Sequence, residues 1–144
     1  MSSNSAGLYI SDLWAAPGLT ALDAPRFGQE ADLLSDEEAR ALVSVVTGIA
    51  EDLGVDCAVA VLDSRGDVHV AVRSGQLSGD ALASAIACAR AAVVKPEAIV
   101  TRAGAAGVAL SSAGGLRGGL GVSGGPEGFG LEACRHARQA LGLV

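Results

Sequence analysis

Several residue types that would announce a function are scarce in this chain. Of ten basic residues only Lys95 is a lysine, and 16 acidic residues leave a net charge of −6 and a pI near 4.7. No basic stripe exists to displace counterions from a phosphate backbone, so nucleic acid is not an expected partner. The three cysteines, Cys57, Cys88 and Cys134, are odd in number and form no CxxC pair. A disulfide framework is therefore not expected, and three reduced, buried thiols are. HxxxH and HxxE are absent too, and Cys134 and His136 stand two apart on a helix, facing different ways, so no metal site is expected. No apolar run approaches the ~18 residues of a membrane helix. The N-terminal MSSNSAGLYISDLW has neither a basic n-region nor an apolar h-region. A cytoplasmic protein without signal peptide or membrane partner is the expectation.

What is present is a chain of 144 residues, 50% hydrophobic, long enough for one domain with a sizeable core. Residues 1–34 lack periodicity, yet hold Tyr9, Trp14 and Phe27, three of the four aromatics. Aromatic area is seldom left in water, so this extension is expected to pack on the domain or on a neighbouring subunit. The domain proper runs over 35–144. Ser35 with Glu38 fits a capping box, and Leu42, Val43, Val46, Ile49, Ala50 and Leu53 follow at helical spacing up to Gly54. Residues 55–63 read as a central strand, 63–67 as a turn and 68–73 as an alternating strand. A second helix, capped by Ser78 or Asp80, runs to about Val94. Short strands are expected over 97–102, 107–111 and 116–123. A last helix is expected from Pro126, with Glu127 at the positive end of its dipole. Tight turns between successive strands imply an antiparallel sheet, so the fold class is α+β.

Nine of the seventeen residues from Gly114 to Gly130 are glycine. Gly119-Leu120-Gly121-Val122-Ser123-Gly124 matches GxGxxG, but a dinucleotide site needs a further strand, and the 20 residues after Gly124 fit one helix only. No GK[ST] occurs, which excludes a Walker loop. Two readings stay open. Amides at Gly124, Gly125 and Glu127 could hold a carboxylate or phosphate at the helix start. Alternatively, the glycines let a strand pass closely under a helix.

Gly121-Val122-Ser123-Gly124-Gly125, before a C-terminal helix, resembles the closing motif of GlcG/HbpS-like domains, which include the C-terminal domain of PduO-type corrinoid adenosyltransferases. Upstream, Leu53-Gly54-Val55, Ala58 to Asp63, Gly66, Arg73 and an Ala-rich helix agree with it. The resemblance spans about 35–142. It implies a profilin-like α/β/α sandwich with a five-stranded antiparallel sheet, homo-oligomers, and a small-molecule ligand such as haem or another anion. Cys88 and Ala91 stand where the family often has Lys and Thr. Gly130 takes the place of its acidic residue after the SGG turn, with Glu132 nearby.

The residues singled out for ligand binding are Arg73, Cys88, Ser123, Gly124, Gly125 and Glu127. Arg73, at a strand end, suits a carboxylate or a surface ion pair. His69 would share a face with Arg73 on a regular strand and could ligate iron, act as acid or base, or simply be hydrogen-bonded in place. The second functional reading is a cofactor-free tailoring enzyme of specialised metabolism, a cyclase, isomerase or oxygenase component, with His69, Arg73 and Glu132 as catalytic candidates.

Overall fold

The computed structural model describes residues 33–143. The expected packing of residues 1–34 therefore falls almost wholly outside the described residues. The described residues form one compact unit, and Leu34 is already part of its core. The elements are α1 (Asp36–Leu53), β1 (Cys57–Asp63), β2 (Val68–Arg73), α2 (Gly79–Val94), β3 (Val100–Arg102), β4 (Ala105–Ser112), β5 (Gly115–Gly124) and α3 (Phe129–Ala140).

The five strands form one sheet in the order β2-β1-β5-β4-β3, antiparallel throughout. This is the α+β architecture read from the turns. The capping box is formed: the Glu38 amide donates to Ser35 Oγ and the Ser35 amide donates to Glu38 Oε1, both at 3.0 Å. Gly54 ends α1 in the left-handed conformation, φ 70°.

The two faces of the sheet differ in side-chain size. Val59 and Val61 of β1, Val108 and Leu110 of β4, and Leu120 and Val122 of β5 point to α1 and α3. They meet Leu42, Val46, Ala133 and Cys134 in the larger core. The alternate positions, Ala58, Ala60, Gly107, Gly119 and Gly121, face α2, which answers with Ala85, Cys88 and Ala89. Apart from Leu62 near the end of β1, which also packs on the α2 side, period-two alternation thus sorts large from small rather than apolar from polar. With no side chain at 119 and 121, α2 settles onto the strand: a Cβ on Gly121 would overlap the Ala85 carbonyl oxygen, and one on Gly119 would lie 2.5 Å from that of Ala89.

Two β-bulges interrupt this order. Val61 lies opposite Val70 and Leu62 opposite Val68, so His69 is an extra residue in β2. Leu110 lies opposite Gly118 and Ser111 opposite Leu116, so Arg117 is an extra residue in β5. Both side chains reach the acidic first turn of α1: His69 Nε2 donates to Asp36 Oδ1 at 2.5 Å, and Arg117 Nη2 donates to Glu38 Oε1 at 2.6 Å.

The last helix corrects one expectation. It starts at Phe129, not at Pro126, because Gly128 sits at φ 88°, which a right-handed helix cannot include. Pro126 instead opens a turn whose carbonyl accepts from the Phe129 amide at 3.0 Å.

Candidate functional site

The glycine motif closes β5 and turns the chain into α3. Gly124, Gly125 and Gly128 all have positive φ, so this path is one that side chains would strain. Much of its polar capacity is already used. The Ser123 hydroxyl, buried, donates to the Ala81 carbonyl of α2. The Gly124 amide donates to the Gly104 carbonyl at 2.9 Å, tying the motif to the β3–β4 turn. These two groups hold the turn in place.

The ridge Pro126–Glu127–Gly128 separates two concavities. The first, a cavity of about 490 Å³, lies between the β3–β4 turn and the start of α3. Thr101, Arg102, Ala105, Ala106, Gly130 and Leu131 line it together with the ridge. Among the described residues no side chain caps the first turn of α3, and its Gly128 end borders both concavities. Among the described residues no carboxylate pairs with Arg102. The second concavity, about 420 Å³, lies between α1 and α3 and is more apolar, with Ile49, Leu53, Phe129 and Ala133 beside Glu132 and His136. Glu127 borders both.

Arg102 and Thr101 are lining residues that sequence reasoning passed over. Their strand has only three residues, too short to show a period. The available signal was Gly104, a turn glycine at φ 75° whose carbonyl receives the Gly124 amide.

The residues singled out from the sequence are dispersed. Of the ligand-binding set, Glu127 borders both cavities, while Ser123 and Gly124 support the turn behind them. Gly125 is held close against the Phe129 ring. Of the catalytic set, only Glu132 lines a cavity. His69 is bonded at the N-terminal end of α1 and Glu132 lines the cavity at its C-terminal end, about 25 Å away along the helix. Arg73 pairs in register with Ala58 and lies beside Gly79, on the α2 side, whereas the bulge turns His69 toward α1. The two do not share a face, as they would on a regular strand.

Cys88 is fully buried in α2, with its backbone against Gly107. Burial raises its thiol pKa, against the opposing charge of Arg102. Burial likewise raises Cys57, and pushes Cys134 up to about 12. All three are free, buried thiols. At pH 8 the native protein is expected to leave all three unlabelled by a thiol-reactive disulfide reagent over minutes, with three equivalents reacting once urea unfolds it. Prompt labelling of Cys88 in the native state would show a path to it that this packing does not contain.

No protein-family model matches the chain, and no curated protein matches it in sequence. Solved structures do. A PduOC–haem complex superposes with a TM-score of 0.64 at 26% identity, covering 75% of this chain and 94% of that one. A double mutant of HbpS from Streptomyces reticuli gives 0.67 at 22% identity, covering 92% and 98%. The Klebsiella pneumoniae protein ORFY gives 0.64 at 16% identity, covering 77% and 92%. These three solved structures are GlcG/HbpS-like proteins, the same family that Gly121–Gly125 and the pattern upstream of it resemble.

Proposed function

We propose that the domain binds a small anionic ligand in the cavity between the β3–β4 turn and α3. The observation that carries this is that Arg102 and the start of α3, uncapped by any described side chain, line one cavity of about 490 Å³. A guanidinium and a helix N-terminus both favour a carboxylate or phosphate, and a cavity of this size suits a small organic molecule. Glu127 on the ridge would accept from hydroxyl or amine groups elsewhere on the ligand.

The haem seen with PduOC makes haem the natural candidate to test against these residues. Arg102 suits a propionate. Among the described residues no His, Cys, Met or Tyr lines this cavity, so the residues that do line it fit the carboxylates of such a ligand and not its iron. A porphyrin held here would be held through its acidic groups.

Calorimetric titration of the full chain with haemin and with iron-free protoporphyrin IX tests this. The two are expected to bind within a few-fold of each other. Arg102→Ala is expected to weaken both roughly tenfold, and Glu127→Gln to tighten both by removing a like charge. Unchanged affinities in Arg102→Ala would sink the proposal. A haemin Soret shift that disappears in His69→Ala or His136→Ala would overturn the iron-independent reading.

A further inference from the structure

Among the described residues, the concavity between α1 and α3 has no counterpart to Arg102 and is bordered by apolar side chains and carboxylates. Its walls are Ile49, Leu53, Phe129 and Ala133, and its polar groups are Glu127, Glu132 and His136. Leu53 is 61% exposed, a large aliphatic side chain left in water at the rim. The C-terminal end of α1 forms this rim, and its last turn carries no basic residue while Glu51 and Asp52 precede Leu53. The negative pole of α1 and the positive Gly128 end of α3 both border this concavity and offset each other, so its net charge comes from the carboxylates Glu51, Asp52, Glu127 and Glu132. Among the lining residues only His136 can carry positive charge.

From this combination we infer a second ligand site, one that takes an amphipathic organic cation: an ammonium or similar group attached to an apolar body. The apolar part covers Leu53, Ile49 and Phe129, removing from water surface that the domain alone leaves exposed. The cationic part lies toward the carboxylates of Glu132 and Glu127. An anion with the same apolar body gains the burial and meets repulsion instead. The site adjoins the one at Arg102 across the Pro126–Glu127–Gly128 ridge and shares Glu127 with it, but the inference makes no use of Arg102.

The test is a calorimetric titration of the full chain with n-octyltrimethylammonium, kept below its micelle concentration. n-Octanoate and tetramethylammonium serve as tail-only and head-only comparators. One octyltrimethylammonium per chain is expected, bound at least tenfold tighter than either comparator. Glu132→Gln should weaken it about fivefold, and Leu53→Ser by a similar factor. Both positions are exposed, so circular dichroism should show both variants folded. Octanoate binding as tightly as the ammonium, or an affinity unmoved by both substitutions, would overturn the inference.

Discussion

Gly121→Ala is expected to destabilise the domain by about 3 kcal/mol, the upper end of what overpacking a tight core costs. The added methyl group would overlap the Ala85 carbonyl oxygen and lie 2.9 Å from its carbon and 3.0 Å from the Ala89 nitrogen. These are backbone atoms of a regular helix and cannot rotate aside. Either α2 lifts from the sheet, opening its contacts with Ala58, Ala60 and Leu62, or β5 bends away between its two partners. Urea denaturation measures the loss, which corresponds to a fall in Tm of roughly 10–20 °C. Gly48→Ala is the control for glycine itself. Gly48 lies inside α1 with no atom of the described residues within 4 Å of an added Cβ, so this change should stabilise by about 0.5–1 kcal/mol. If Gly121→Ala and Gly48→Ala shift the midpoint alike, close approach of α2 is not what the strand glycines provide.

The same contrast explains what the sequence could and could not tell. Helices, strands and their antiparallel order were legible because capping residues, turn glycines and hydrophobic period are local signals. Gly119 and Gly121 were legible as unusual, but their purpose depends on which helix lies over them, and that is set by long-range topology. Gly121 belongs to a packing device opposite Ala85. Gly124 and Gly125, a few residues on, belong to the turn behind the cavity. One glycine-rich string therefore serves two physical ends, and no spacing rule divides it. The bulges were invisible for a related reason. Alternation over 68–73 predicts the face of His69 only if every residue is paired, and an extra residue reverses the answer. Arg102 escaped notice because its importance comes from the start of α3 folding back to it across 20 or so residues of sheet.

Arg117→Met should produce the second large loss, and its dependence on pH identifies the cause. Arg117 is nearly buried, and Nη2 donates both to Glu38 Oε1 and to the Leu33 carbonyl, each at 2.6 Å. It thereby fastens β5 to the start of α1 and to the chain entering it. Methionine preserves much of the packing volume and removes the charge. Breaking a fully buried pair costs about 3–5 kcal/mol, but Glu38 can regain water when Arg117 is gone, so about 2 kcal/mol is expected at neutral pH. Burial alone would raise the Glu38 carboxyl. The Ser35 amide, the charge and hydrogen bond of Arg117 and the Ser35 hydroxyl outweigh it and hold the pKa below the ordinary carboxylate value. The sign follows from that direction. A carboxyl whose folded pKa is depressed stabilises the protein above its unfolded pKa, and the contribution is lost as pH falls through the folded value. Wild type should therefore lose stability in acid faster than Arg117→Met, and the two denaturation midpoints should converge as Glu38 becomes protonated. A gap that stays constant from pH 7 down to pH 3 would assign the loss to packing and to the Leu33 carbonyl, with the ion pair contributing little.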